Sequence, residues 1–340
     1  MTTTSSRPAP VPFDPEVVSA VEAAAQQPPL TREALAGART GAATMFPTPA
    51  ELVGDRPVNV TERVIPGPAG APELEITVLT PRDRGSDPGL PGLYNIHGGG
   101  MIVGHRYWET GRLLDLVLEL GVVGVNVEYR LAPEDPYPAG VEDCYAGLVW
   151  MAEQAEELGV DPNRIVVMGG SAGGGFSAAV ALMARDRRGP KIAGQLLLCP
   201  MIDNTNSTVS SRQYTGLGTW TRETNELAWN CVLGTDLADS VRAPDYAAAS
   251  RAEDLSGLPP AFIEVGAAEL FRDEDVDYAS RIWATGGQAE LHVWGGGCHG
   301  FDMFAPGSEI SRAALASRSN WLRRILGLDS ILGLDEDGHR

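Results

Sequence analysis

The sequence predicts an α/β fold in which a mostly parallel sheet has helices on both faces. The first observation is a series of short, nearly continuous apolar runs, typical of strands buried on both faces, at 92–96, 122–127, 164–168, 193–198 and 261–265, followed by a last predicted strand at 289–294. The second is that helix-favouring segments separate most of these runs, at 108–120, 139–158, 172–186 and 273–285, with a further one at 309–326. Strands and helices that alternate along a chain indicate parallel strands joined by helices.

The first part of the chain has a different pattern. Residues 57–80 alternate apolar with polar side chains, which predicts two antiparallel strands with one face in water. Before them, a segment rich in Pro, Ser and Thr leads into Ala-rich pieces at 15–26 and 31–43. These pieces favour helices.

A second departure lies at 201–250, where the chain is polar at first, then helical, without a clear strand. Because this segment follows a strand, we expect it at the carboxyl ends of the strands, where ligands bind in open α/β sheets. We therefore predict a catalytic core of residues 51–200 and 251–330, a helical cap of residues 1–50 and 201–250, and a flexible C-terminal tail of residues 331–340.

Composition excludes several classes of partner. Among 340 residues, 45 acidic against 26 basic side chains give a formal charge of −19, which repels nucleic acid and anionic membranes. No apolar run approaches the roughly 18 residues of a membrane helix, and the N-terminus lacks the apolar region of a secretory signal.

The four cysteines, Cys144, Cys199, Cys231 and Cys298, lack the close spacing of a metal or redox site. We expect a cytoplasmic protein with free thiols and no bound metal.

The candidate nucleophile is Ser171, in the sequence Gly-Gly-Ser-Ala-Gly at 169–173. A predicted strand precedes it and a predicted helix follows, which is the context of a nucleophile elbow. A serine at such a sharp turn needs neighbours without bulky side chains, and Gly169, Ala172 and Gly173 meet that requirement. Its position at a helix N-terminus also favours developing negative charge.

A second glycine run, His97-Gly98-Gly99-Gly100, follows the predicted strand at 92–96. Acyl transfer places negative charge on a carbonyl oxygen, and backbone N–H groups aimed at that oxygen stabilise it. We predict that the N–H groups of Gly98, Gly99 and Ala172 form this oxyanion hole. His97 is interpreted as a structural residue whose ring holds the loop.

The candidate base is His299. Of the histidines after Ser171, His339 is at the terminus and His292 is in the middle of a predicted strand, where packing is the better interpretation. His299 is in a glycine-rich loop beyond the last strand, from which it can reach Ser171. An imidazole titrates near neutral pH, so it can accept the serine proton and return it to the leaving group.

The candidate acid lies in the loop after the strand at 261–265. Glu269 comes first, at the exit of the strand, whereas Asp273, Glu274 and Asp275 fall in the first turn of the next helix. Carboxylates in a first turn suit the positive end of the helix and need no catalytic role. We predict that Glu269 orients His299, with Asp273 as the alternative.

Five motifs in order carry a family resemblance: HGGG at 97–100, YRLAPEDPYPA at 129–139, GGSAGG at 169–174, GAAELFRDE at 266–274 and CHGFD at 298–302. With them, residues 58–326 resemble the bacterial hormone-sensitive-lipase-like esterases. The resemblance implies an α/β-hydrolase fold with a helical cap, and hydrolysis of carboxylic esters with short to medium acyl chains. It also implies that neither a metal nor an organic cofactor takes part.

Two positions depart from the family pattern. Gly170, before the nucleophile, stands where the family usually has Asp or Thr, which leaves the mode of dimerisation open. Glu269 stands where the acid is more often Asp in a DPL-type motif, and a longer carboxylate can still reach the imidazole. A small-molecule ester is the expected partner, and a homodimer is the assembly that the resemblance allows.

Other functions remain as alternatives. A lactone hydrolase would use the same residues, because a cyclic ester differs only in keeping its leaving group attached. A ligand-binding protein on this fold is the other alternative, since plant gibberellin receptors resemble the family but have lost the catalytic histidine. In either case the pocket is predicted to involve residues of the cap, namely Met201, Tyr214, Trp220 and Trp229.

Overall fold

The structure is a computed structural model that describes residues 7–83 and 89–328. The predicted C-terminal tail, 331–340, and with it His339, lies outside these residues. Within them, the predicted α/β architecture is confirmed by one eight-stranded sheet with strand order β1-β2-β4-β3-β5-β6-β7-β8.

The strands match the predicted runs closely. Their bounds are β1 Val58–Ile65, β2 Leu74–Pro81, β3 Leu90–Ile96, β4 Val123–Val127, β5 Val160–Gly170, β6 Gly194–Leu198, β7 Ala261–Gly266 and β8 Ala289–Trp294. Strands β1 and β2 are antiparallel, as predicted, and β2 is also antiparallel to β4. The predicted face in water is wrong for β2, in which every residue but Glu75 is buried. From β4 through β3 to β8 all neighbours are parallel, so the carboxyl ends of these strands lie along one edge.

The helices also follow the prediction, with one exception. Their bounds are α1 Val18–Ala25, α2 Leu35–Met45, α3 Pro49–Val53, α4 Thr110–Leu120, α5 Ala139–Glu153, α6 Ala155–Leu158, α7 Ala172–Asp186, α8 Val209–Gln213, α9 Arg222–Leu233, α10 Arg272–Ala284, α11 Phe301–Phe304 and α12 Glu309–Leu326, with 3₁₀ turns at Arg32–Ala34 and Ala249–Arg251. The segment 139–158 was predicted as one helix, and that is wrong. Gln154, with a ψ of 15°, leaves the helical conformation between α5 and α6.

The central strands of the sheet are buried on both faces by helices. Every residue of β3 is buried, and alternate residues point to opposite layers. Tyr94 and Ile96 pack in the layer that contains side chains of α5 and α7, whereas Leu93 packs in the layer that contains side chains of α4 and α12. This double layer holds the strand ends in fixed positions, and the loops at those ends carry the candidate site.

The two segments predicted to form a cap contact each other. Gln213 Nε2 donates to the carbonyl of Ala9, and the Tyr214 hydroxyl donates to the carbonyl of Val11 at 3.0 Å. The segment 201–250 contains α8, α9 and no strand, as predicted, and the structure describes all of it. The division into a core and a cap stays a prediction.

None of the helices within residues 7–83 and 89–328 has both the length and the apolar character needed to cross a membrane.

Candidate active site

Ser171 lies between the end of β5 and the start of α7, in a sharp turn. Its φ of 56° and ψ of −119° are rare for a residue with a side chain, and such strain is typical of functional sites. Two backbone hydrogen bonds hold the turn: Ser171 N–H donates to the carbonyl of Leu198 at 2.8 Å, and Met201 N–H donates to the carbonyl of Ser171 at 2.9 Å. The predicted elbow is therefore present at Ser171.

The glycines beside Ser171 are required by close backbone approach. A Cβ at Gly169 would lie 2.5 Å from the carbonyl oxygen of Ile96, and a Cβ at Gly173 would collide with the same oxygen. Side chains at these positions would push β5 and α7 away from β3. The small residues that predicted the elbow thus allow the turn at Ser171 to lie against the end of β3.

Ser171, His299 and Glu269 form a chain of hydrogen bonds. The distance from Ser171 Oγ to His299 Nε2 is 2.9 Å, and that from His299 Nδ1 to Glu269 Oε2 is 2.8 Å. Glu269 and His299 are 2% and 7% exposed, whereas Ser171 is partly exposed. With the proton on Nδ1, the imidazole donates to the carboxylate and accepts from the serine. This is the geometry of an activated nucleophile.

The surroundings of His299 favour its protonated form. Burial by itself would lower the pKa of His299, but the interactions with Cys199 and Glu269 prevail and hold that pKa well above its ordinary value of 6.5. Thr219, from the segment 201–250, donates a hydrogen bond to the carbonyl of His299. His299 is thus held at both its ring and its backbone.

Asp273, the alternative acid, faces away from this chain of hydrogen bonds. Its Oδ2 accepts from the backbone N–H of Ser210 at 2.7 Å, and its Oδ1 accepts from Arg272 at 2.8 Å. Although burial alone would raise the pKa of Asp273, these hydrogen bonds lower it below its usual value. The structure therefore brings Glu269, and not Asp273, to the imidazole.

His97 and His292 have structural surroundings. His97 is stacked on Tyr129 with ring centroids 4.1 Å apart, its Nδ1 lies 2.8 Å from the carbonyl oxygen of Gly98, and burial lowers its pKa to about 4. His292 is stacked on Phe262 with ring centroids 4.9 Å apart. These contacts agree with the interpretation of His97 as a residue that holds the loop and with the packing role predicted for His292.

The predicted oxyanion hole needs one correction, in the loop 97–100, called here the oxyanion loop. The N–H of Gly98 donates to Glu109 Oε1 at 3.1 Å, so the prediction that it stabilises an oxyanion is wrong. The N–H groups of Gly99 and Gly100 have no partner among the described residues. Ala172 begins α7, so its N–H has no acceptor within the helix. Gly99 and Gly100 of the oxyanion loop and Ala172 of the elbow therefore each offer an N–H group without a partner among the described residues.

The predicted pocket residues occupy different places. Trp220 is next to the site: a Cβ at Gly100 would lie 2.6 Å from its Cζ2, and its ring centroid is 6.4 Å from that of His299. Met201 contacts the elbow through its backbone. Tyr214 and Trp229 are fully buried, and the hydroxyl of Tyr214 is bound to the N-terminal segment. Tyr214 therefore holds the N-terminal segment in place.

One group of residues within the described ranges has the makeup of a metal site. Ligand atoms of Cys199, Glu269 and His299 lie within 4.8 Å of one another. Two of these residues already form the hydrogen bonds to each other and to Ser171 described above. The arrangement fits proton transfer between Ser171 and His299.

Three residues of the site were missed in the sequence. Gly100 was recognised as part of the loop but not as a donor. Cys199 directly follows β6, and the carboxyl ends of parallel strands meet at one edge, so its position was the available signal. Glu109 had no signal, because only the folded chain brings its carboxylate back to Gly98.

Comparison with known proteins identifies the family. Residues 93–303 match a family described as having the alpha/beta hydrolase fold. The carboxylesterase NlhH of Mycobacterium tuberculosis is 38% identical over 270 residues, which cover 76% of this chain and 79% of that protein. The esterase LipI of the same organism is 32% identical, with 73% and 76% covered.

Solved structures agree with this assignment. A bacterial heroin esterase superposes with a TM-score of 0.83 at 36% identity, covering 92% of this chain and 98% of that chain. An esterase from the archaeon Pyrobaculum calidifontis superposes with a TM-score of 0.82 at 30% identity, covering 92% and 99%. The chain is thus a member of the hormone-sensitive-lipase-like esterase family of α/β hydrolases.

Proposed function

We propose that this protein hydrolyses carboxylic esters with short to medium acyl chains through an acyl-enzyme on Ser171. The single observation that carries the proposal is the hydrogen-bonded chain from Ser171 through His299 to Glu269. Membership of an esterase family supports it, as do the names of the relatives, a carboxylesterase and an esterase.

In the acylation step, Ser171 Oγ attacks the ester carbonyl while His299 Nε2 accepts the serine proton. Glu269 holds the proton of His299 on Nδ1 and stabilises the cation that forms. The same proton then passes from Nε2 to the leaving alcohol, and the acyl group remains on Ser171. In deacylation, a water oxygen attacks the acyl carbon while His299 Nε2 takes a proton from that water. The bond between the acyl carbon and Ser171 Oγ then breaks, Nε2 returns the proton to Oγ, and the carboxylic acid leaves.

The negative charge of each tetrahedral intermediate needs donors close to Ser171. The N–H groups of Gly99, Gly100 and Ala172 are the candidates, because each is unpaired within the described protein and each belongs to a loop or turn beside the nucleophile. Such donors lower the barrier because they are already oriented before charge develops. The dipole of α7 adds to this effect at its N-terminus.

The expected substrate is a small neutral or cationic ester. The net charge of −19 disfavours polyanions such as nucleic acids by repulsion. Trp220 lies across the oxyanion loop and next to His299, so the acyl or alcohol group meets an aromatic wall there. A lactone would undergo the same steps, with its leaving alcohol still attached.

The test measures hydrolysis of p-nitrophenyl esters from acetate to dodecanoate, with a γ-lactone alongside. A fluorophosphonate should stop the reaction and add its mass to the peptide that contains Ser171, and Ser171→Ala should lose at least about 10⁴-fold in kcat. Absence of turnover on every ester would overturn the proposal. Full activity in Ser171→Ala would overturn the assignment of the nucleophile.

A further inference from the structure

We infer that Glu109 is a positioning residue that orients the oxyanion loop, and that the absence of a side chain at Gly170 leaves the space for its carboxylate. The inference rests on the proposed ester hydrolysis, which supplies the reaction in which the loop acts. Glu109 was not indicated by the sequence, and Gly170 is one of the two positions that depart from the family pattern.

The contacts of Glu109 place it directly behind the loop. Its Oε1 accepts the N–H of Gly98 at 3.1 Å, and its Oε2 accepts from Arg112 Nη1 at 2.9 Å. The residue is 5% exposed, so the hydrogen bond to Gly98 is shielded from competing water. A charge-assisted bond of this kind is stronger than one between neutral groups.

The space that Glu109 occupies is the space next to Gly170. A Cβ at Gly170 would lie 3.1 Å from Glu109 Oε1 and 3.2 Å from Arg112 Nη1. A Cβ at Gly98 would lie 3.3 Å from the same Oε1. These distances are at or below van der Waals contact, so the carboxylate fills the gap between the nucleophile elbow and the oxyanion loop.

Arg112 connects this contact to the loop of the base. Its Nη2 donates to Asp302 Oδ2 at 3.0 Å, and Asp302 lies three residues after His299. Asp302 also accepts from Arg318 at 2.7 Å. All of these side chains are largely buried. A continuous series of charged groups therefore ties the oxyanion loop to the segment that carries His299.

The consequence for the reaction is geometric. Because the N–H of Gly98 is held, the neighbouring peptides cannot rotate freely, and the N–H groups of Gly99 and Gly100 keep one direction. A carboxylate near a developing oxyanion would be unfavourable by itself. Arg112, in contact with that carboxylate, neutralises it. The pair can thus orient the loop without opposing the charge of the intermediate.

Three variants test this role. Glu109→Gln keeps an oxygen that accepts from Gly98, so kcat should change by less than about threefold. Glu109→Ala should lower kcat by about 100-fold, the loss expected from a misplacement of about 1 Å, with KM nearly unchanged. In Glu109→Ala/Gly170→Asp, the new carboxylate starts from a Cβ 3.1 Å from the former Oε1 position, so at least a tenfold recovery of kcat is expected.

A second measurement separates orientation from stability. A trifluoromethyl ketone, whose adduct with Ser171 places an oxyanion in the hole, should bind Glu109→Ala more weakly by the same factor by which kcat/KM falls. The matched control is Asp143→Ala. Asp143 is a buried carboxylate that likewise accepts from a backbone N–H and an arginine, both of Arg130. This control should lower Tm but leave kcat and the affinity for the ketone unchanged.

Glu109→Asp covers the case in which the alanine variant does not fold. It keeps the charge, but the shorter side chain moves the oxygen away from Gly98, so kcat and ketone affinity should both fall. Wild-type values of both in a folded Glu109→Ala or Glu109→Asp protein would overturn the inference. An inactive wild-type protein would count instead against the proposed function, so the two failures are distinguishable.

Discussion

Trp220 lies so close to Gly100 that a single Cβ at residue 100 would be 2.6 Å from its Cζ2. Trp220 belongs to the segment 201–250, whereas Gly100 belongs to the oxyanion loop. Its indole Nε1 donates to Asn225 at 3.3 Å, which fixes the ring to α9. The segment between β6 and β7 therefore touches the loop that is proposed to stabilise the oxyanion, and a substrate bound there must meet this ring.

Trp220→Ala should shift the preference toward longer acyl chains. Removal of the indole opens space beside the oxyanion loop, and each additional methylene that becomes buried contributes about 0.8 kcal/mol. We expect the ratio of kcat/KM for octanoate to that for acetate to rise about tenfold or more. The measurement is a chain-length series. Trp283→Ala, at a half-exposed tryptophan on α10, is the control and should leave the ratio unchanged.

Glu269→Gln should be far more damaging to catalysis than Asp273→Asn. The carboxylate of Glu269 accepts a hydrogen bond from His299 Nδ1–H at 2.8 Å. An amide at this position can favour the wrong tautomer of the imidazole, a change that costs about 10⁴-fold in kcat in other triads. Asp273 accepts from Ser210 and Arg272 instead. Its change to Asn should lower Tm with less than about a threefold loss of kcat. The reverse order of effects would transfer the acid role to Asp273.

The pH profile should reflect the raised pKa of His299. Burial alone would lower that pKa, but Cys199 and Glu269 hold it well above 6.5. The base acts in its neutral form, so kcat/KM should fall as the pH decreases through this pKa, with the acid limb above pH 6.5. In the residual activity of Glu269→Gln the limb should move to lower pH, because the cation has lost its partner. An acid limb at or below pH 6.5 in the wild-type protein would contradict this assignment.

Arg318→Met should destabilise the fold strongly. Arg318 pairs with Glu264 and Asp302, and all three are buried. Removing one partner from a buried ion pair costs about 3–5 kcal/mol, measurable by urea unfolding at pH 7.

The destabilisation should depend on pH and on burial. Burial alone would raise the pKa of Asp302, but Arg112 and Arg318 hold that pKa well below its usual value. This carboxylate therefore contributes stability above about pH 4 that is lost as the pH falls. The loss of unfolding free energy caused by Arg318→Met should accordingly become smaller at low pH.

The control lies on the same helix. Arg312→Met removes an exposed pair with Glu309 and should cost less than about 1 kcal/mol. Equal costs for the two variants would contradict the buried network.

The sequence predicts those features of the site that are encoded by residues close together along the chain. The strands, the elbow at Ser171 and the loop of His299 are coded by neighbouring residues: apolar runs, small residues around a turn, and glycines beyond a strand. The choice between Glu269 and Asp273 was also made locally, because one lies at a strand exit and the other in the first turn of a helix. The structure agrees with these positions.

The order of strands and helices and the three loops that carry Ser171, Glu269 and His299 can be predicted from the amino-acid sequence, because each depends on short-range backbone preferences. Which N–H groups remain free depends on contacts that form only in the folded chain. Gly98 and Gly99 have the same local pattern, but the carboxylate of Glu109 packs against one and not the other. The Glu109 carboxylate reaches Gly98 because α4 packs against the sheet and because Gly170 has no side chain in the way. Such a buried contact between distant parts of the chain depends on the whole fold.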